Sequence, residues 1–157
     1  MKVLAIDIGA GTQDILLFDS QKKTENCISL VLPTPSKIFA DKLKAMEGHV
    51  YIHGDTIGGG SLIRAILPHM QKGYRVVMEE SAAYSLRNDL DEVKSMGIEV
   101  GGKPESDDFR ELEIREVDLS VLKNFLFYPE VENRSQDKKQ AGTGQSNLGQ
   151  FCYTQNQ

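Results

Sequence analysis

Tryptophan is absent from these 157 residues, and cysteine occurs only twice, at Cys27 and Cys152. Two cysteines so far apart make no disulfide framework, which points to a reducing compartment. A basic excess is also missing: 18 Lys and Arg stand against 23 Asp and Glu, for a net charge of -5. A general nucleic-acid binder would carry a basic stripe, so no nucleic-acid partner is expected. No apolar run reaches the roughly 20 residues of a membrane span. The N-terminus offers a single Lys and a strand pattern where a signal core would lie. The expectation is a cytoplasmic protein with no membrane partner. Histidine occurs three times. His49 and His53 would share a strand face about 13 Å apart, too far to ligate one ion. His69, late in a helical pattern, reads as structural.

What the chain does have lies at its start. Val3 to Ile8 is apolar apart from Asp7, the pattern of a central strand, and Ile15 to Phe18 reads as a second strand. The loop between them, Gly9 to Gln13, is short enough for a hairpin whose glycines take the positive-φ positions. Successive amides in such a loop can form an anion-binding nest. Asp7 and Asp14 stand at the two mouths of the loop. Alone they would repel a phosphate. With Mg2+ between them they become useful, because that ion takes one or two carboxylates together with phosphate oxygens. The same stretch also reads as a purely structural hairpin.

The run Asp7-Ile8-Gly9-Ala10-Gly11-Thr12-Gln13-Asp14 resembles the first phosphate-binding motif of the superfamily of actin, the sugar and acetate kinases and the heat-shock chaperone ATPases. The resemblance implies ATP and Mg2+ as cofactors. Asp7 and Asp14 would serve the metal, and Gly9, Ala10, Gly11, Thr12 and Gln13 would serve the phosphates. It further implies a ribonuclease H-like fold, the first domain of an actin-like ATPase. There a three-strand antiparallel meander continues into a mixed sheet with helices on its faces.

The order of elements agrees with an α/β chain of that kind. After the hairpin, 27–32 reads as a third strand, and Thr34-Pro35 as a helix start with Gly48 as its stop. The stretch 49–53 is a short strand leading into Gly58-Gly59-Gly60 and an apolar-periodic helix that ends at Gly73. A strand, a glycine run and a helix N-terminus make a ready anion site, so Gly58, Gly59 and Gly60 are candidate ligand contacts. A flexible turn that lets the helix pack closely is the plainer alternative. Asp55 follows a central strand and is the candidate catalytic base. Strands are expected at 74–78 and 98–100, with a helix over 82–96 between them. Glu79 and Glu80 lie at a strand end, where open α/β sheets bind ligands, although acids also favour a helix's first turn. An edge strand is expected over 111–117, then a helix that Asp118 caps.

Gly58-Gly59-Gly60, Arg64-Ala65, Ala82-Ala83 and Met96-Gly97-Ile98 are similar to one group of uncharacterised bacterial and archaeal actin-like proteins. These are sometimes labelled pyruvate formate-lyase activating-like. That chemistry needs three cysteines close in sequence around an iron–sulfur cluster, and this chain has two cysteines far apart, so the label is a name only. The resemblance covers residues 1–130, expected to be an incomplete N-terminal actin-like domain. Residues 131–157 are poor in apolar side chains and are expected to form a polar, disordered tail. A second phosphate loop and an adenosine pocket are not legible, so weak binding and no turnover are expected of this length.

Two function classes follow. One is a nucleotide-binding ATPase or phosphotransferase. The other is a non-catalytic interaction module of the same fold, capable of self-association. A dinucleotide-binding domain is a third reading, and it would require the Gly9–Gly11 loop to open a helix.

Overall fold

The computed structural model describes residues 1–126 and 151–155. The chain folds as a mixed α/β structure with an antiparallel three-strand meander and a four-strand parallel sheet.

The meander comprises β1 (Lys2–Ile8), β2 (Thr12–Asp19) and β3 (Ile28–Pro33). Alternation along the strands decides which side is buried. Leu4 and Ile6 of β1 and Ile15 of β2 face inward, with Leu17, Leu30 and Leu32 packed beside them. Leu122 of helix α5 (Leu119–Leu126) covers this face. Asp7 pairs with Asp14 across the hairpin, so both carboxylates lie on the opposite, outer face. The Gly9–Gly11 loop opens β2, not a helix, so the condition that the dinucleotide reading requires is not met. Its glycines also differ from expectation. The positive-φ glycines are Gly48, Gly54, Gly73 and Gly97 among the described residues, and neither Gly9 nor Gly11 belongs with them.

The parallel sheet contains β4 (His49–Gly54), β5 (Val76–Met78), β6 (Glu99–Val100) and β7 (Phe109–Ile114), in the order β6-β5-β4-β7. Helix α2 (Gly60–Gln71) connects β4 to β5. The next connection carries α3 (Glu80–Ala83) and α4 (Leu90–Ser95) where one continuous helix over 82–96 is expected. The break lies at Asp89, whose side chain accepts from the Asp91 amide at 2.8 Å and starts a new helix. Helix α1 (Pro35–Lys44) begins at Thr34-Pro35 as expected.

The buried residues of α1, α2, α3 and α4 share one core with Val50, Ile52, Val76, Met78, Leu112 and Ile114. Those strand positions all belong to one face. The helices therefore pack on one face of this sheet, whereas the sequence predicts helices on both. The other face buries Tyr51, Val77 and Phe109 as a separate small cluster.

The meander does not continue into the parallel sheet. Strand β8 (Phe151–Gln155) lies parallel to β1 and fills its second edge, while β7 fills the second edge of β4. With both edges taken, β1 and β4 cannot pair, and two sheets result. Strand β8 also falls within the 131–157 span expected to be a tail. The rest of that span lies outside the described residues.

Candidate functional site

The chain leaves β6 and returns on the far side of the sheet, so β4 and β7 are neighbours reached from opposite directions. In open α/β sheets, ligands bind beyond the carboxyl ends of strands at such a reversal. Here those ends are Gly54-Asp55 and Ile114-Arg115-Glu116. A cleft of about 370 Å³ lies there. Gly58, Gly59, Gly60, Ser61 and Arg64 line it from the β4–α2 turn and the start of α2. Ile8, Gly9 and Ala10 line it from the hairpin of the other sheet. Thr34, Ser36 and Glu116 complete the lining.

Each wall is fastened by side chains that the local sequence does not reveal. Ser36, buried at the start of α1, accepts from the amides of Ser61 at 3.2 Å and Leu62 at 3.3 Å. Gly59 has no capping side chain, so a hydroxyl from the neighbouring helix satisfies two amides at the start of α2. Removing it in Ser36→Ala leaves those amides without this acceptor, and the expected loss is about 1–2 kcal/mol. Urea unfolding with an unchanged slope would show it. A midpoint equal to that of the parent chain would mean water replaces the hydroxyl.

The glycine turn rests on the segment after β5. Glu79 accepts from the Gly54 amide at 3.1 Å, the Thr56 hydroxyl donates to the Ser81 carbonyl at 2.7 Å, and the buried Ser85 hydroxyl accepts from the Ile57 amide at 2.9 Å. The hairpin is tied down separately. The Thr34 backbone amide donates to the Gly11 carbonyl at 3.2 Å, and the buried Gln13 side chain donates through Nε2 to the Pro33 carbonyl at 2.9 Å.

Of the expected ligand residues, Gly9, Ala10, Gly58, Gly59 and Gly60 meet at the cleft. Gly11, Thr12 and Gln13 are not among its lining residues. Gly11 and Gln13 hold the hairpin as just described, and the Thr12 hydroxyl donates to Asp14 at 3.4 Å. Asp7 and Asp14 border a separate depression of about 210 Å³ with Ala5, Leu16 and Ser29, on the outer face of the meander. Asp55 does not line the cleft either. Its amide donates to the Ile114 carbonyl at 2.9 Å, and its carboxylate accepts from the Glu116 amide at 3.2 Å. Asp55 thus joins the ends of β4 and β7 and fixes the backbone that carries Glu116.

Sequence reasoning missed Ser36, Arg64 and Glu116 as cleft residues. Arg64 had a usable signal, because it lies one turn into the helix that the glycine run opens. Its guanidinium donates to the Ser61 hydroxyl at 3.3 Å. Glu116 had none, since only the pairing of β7 with β4 brings it near Gly58. Among the described residues, no group of three or more His, Cys, Asp or Glu side chains is assembled to hold a metal. At the end of β7, the Glu113 carboxylate beside Arg115 raises that guanidinium above its usual value. Burial raises the Tyr51 phenol, helped by Glu79 and Glu111. The Lys103 ammonium beside Glu111 lowers that carboxyl.

Chemically, the cleft offers glycine backbone, hydroxyls, one guanidinium and one carboxylate. The glycine turns admit close backbone approach, and the guanidinium suits phosphate oxygens. None of the described helices is long and apolar enough to cross a membrane.

No curated protein and no solved structure matches the chain. Residues 57–138 match the family described as "Putative pyruvate format-lyase activating enzyme (DUF1786)". Neither Cys27 nor Cys152 falls within that span. The span does include the glycine turn, Arg64 and Glu116, and it covers just over half of the 157 residues, so the chain belongs to this family.

Proposed function

We propose that the chain is a nucleotide-binding protein of the actin-like kind, which holds the phosphates of ATP or ADP with Mg2+ in the cleft between its two sheets. One observation carries this reading: two glycine turns, Gly9-Ala10 and Gly58-Gly59-Gly60, come from different sheets and face one cleft beside Arg64. Backbone amides and a guanidinium suit a polyphosphate, and the volume falls in the range of small-molecule sites. The antiparallel meander and the parallel sheet are compatible with a ribonuclease H-like ancestor whose sheet is divided here. No thiol is among the described residues that line the cleft, so iron–sulfur radical chemistry gains no support from them.

The test is calorimetric titration with ADP and ATP in the presence of Mg2+, comparing the parent chain with Arg64→Ala. A charged hydrogen bond to phosphate contributes about 1.5–3 kcal/mol, so the variant should bind roughly 10- to 100-fold more weakly. Equal affinity in the two proteins would sink this placement of the phosphates.

A non-catalytic interaction module is the second reading, and it rests on β3. Val31 of that strand is 63% exposed, and Ile28 is also exposed. Among the described strands β3 lies at the sheet's edge, and an apolar edge strand is a template for pairing with another chain. Light scattering that shows a concentration-dependent dimer, together with no response to nucleotide, would favour it.

A further inference from the structure

We propose that the meeting point of α1 and α2 is an oxyanion subsite, which binds one phosphoryl group through the hydroxyls of Thr34 and Ser36. It lies in the cleft of the nucleotide reading but needs no nucleoside, since free phosphate carries the same chemistry.

The Ser36 hydroxyl is located by its bonds. It accepts from the amides of Ser61 and Leu62, so it sits against the first turn of α2. A serine oxygen has two lone pairs to accept with and one proton to give. Both lone pairs are spent on those amides. Among the described residues no acceptor takes the proton. Toward a ligand Ser36 is therefore a donor, which selects an acceptor and rejects another donor.

Thr34 supplies an independent sign. It is 3% exposed, lines the cleft and holds the N-cap position of α1, yet its side chain caps nothing. Its backbone amide and carbonyl are bonded, but its hydroxyl has no partner among the described residues. Buried hydroxyls are ordinarily hydrogen-bonded. One left unpaired beside a polar cleft fits a group that bonds a ligand.

The surroundings favour an anion. Ser36 belongs to the first turn of α1, and its bonds hold that turn against the start of α2. Two positive helix ends therefore meet at one place, from helices of 10 and 12 residues. Each disfavours the other unless negative charge lies beside them. Gly60, whose amide has no intrahelical acceptor, lines the same cleft, as does Arg64. Among the described lining residues Arg64 and Glu116 carry the charges and offset each other in net charge. Binding thus draws on hydroxyls, amides and helix ends more than on net charge. A phosphoryl group brings three strong acceptor oxygens to these donors.

The experiment is calorimetric titration of the whole chain with inorganic phosphate and, separately, with ADP, for the parent and Thr34→Val. Valine keeps the shape of threonine and removes the hydroxyl. The variant should melt at the parent's temperature or above it, because no described residue bonds that hydroxyl. The parent should bind phosphate, and Thr34→Val should bind it roughly 10-fold more weakly. Phosphate should also raise the melting temperature of the parent more than that of the variant. The ADP arm distinguishes the source of the phosphoryl group. A similar loss with ADP supports the subsite as the seat of the nucleotide's terminal phosphate. Unchanged ADP affinity supports it as a site for free phosphate or a phosphate monoester. Equal phosphate affinity in the two proteins overturns the proposal. A parent that binds no phosphate also overturns it, and the nucleotide reading stands if that parent still binds ADP. No binding of either ligand overturns both. A variant that melts below the parent would show that the hydroxyl is bonded within the protein, which overturns the proposal as well.

Discussion

Gly59→Ala should abolish nucleotide binding and lower stability by about 3 kcal/mol, whereas Gly58→Ala and Gly60→Ala should change stability little. The three glycines are adjacent in sequence and look equivalent there. A Cβ on Gly59 would lie 1.8 Å from the Ser85 carbonyl oxygen and 3.1 Å from the Leu86 Cα. Both obstacles are backbone, so no side-chain rotation relieves them. At Gly58 and Gly60 a Cβ would meet nothing within 4 Å. The backbone of Gly59, at φ -87 and ψ -9, is acceptable to any residue, so the penalty is steric alone. Overpacking of this kind costs about 1–3 kcal/mol, and an overlap against backbone belongs at the top of that range. Relief would require the turn to lift from Ser85, breaking the bond from the Ile57 amide and displacing the cleft wall. Thermal melting should show a drop on the order of 10 °C for a domain of this size. If Gly59→Ala melts like the other two, the close approach is absent in solution, and the turn's fit to Ser85 is not what shapes the cleft.

How much of this was legible in the sequence depends on how local each cause is. The hairpin of β1 and β2 and the third strand follow from apolar alternation and a short glycine loop, and they appear where expected. The glycine stops at Gly48 and Gly73 were legible for the same reason, and both adopt positive φ. The division into two sheets was not legible. It depends on which strand claims the free edge of β1 and which claims that of β4, and pairing partners distant in sequence decide that. The break at Asp89 left a faint trace. An Asn-Asp pair inside a helical pattern favours a new cap, but Leu86, Leu90 and Val93 keep the helical spacing across it. At the cleft, the glycines were legible because they punctuate the chain. Ser36 was not, because a serine directly after Pro35 looks like part of its own helix start. Its hydroxyl instead caps a different helix. Asp55 shows the same limit: residue type and position suggested a base, and its actual partner is a backbone amide 61 residues away.

Gly54 is where the same argument predicts the largest loss of stability. Sequence reasoning assigned positive φ to the hairpin glycines, but a Cβ on Gly11 would meet nothing within 4 Å. The demanding position is Gly54, at the end of β4, with φ +112. A side chain there is strained whatever space surrounds it, at about 1–3 kcal/mol. Space is lacking as well, since its Cβ would lie 2.3 Å from the Ile114 carbonyl oxygen. That contact adds about 1–3 kcal/mol of overpacking. Gly54→Ala should therefore cost about 4 kcal/mol, a large share of the 5–15 kcal/mol by which domains are stable. The damage is also directional. Pushing Gly54 from Ile114 opens the β4–β7 pair at the end where Asp55 holds the Glu116 backbone. It also strains the bond from the Gly54 amide to Glu79. Hydrogen exchange should then show faster opening of the amides of Asp55 and Glu116 than of Val50 and Tyr51 at the other end of β4. Uniform acceleration along the strand would mean that the variant lowers global stability without loosening this end. Unchanged exchange and an unchanged melt would mean that Gly54 is not held against Ile114 at all.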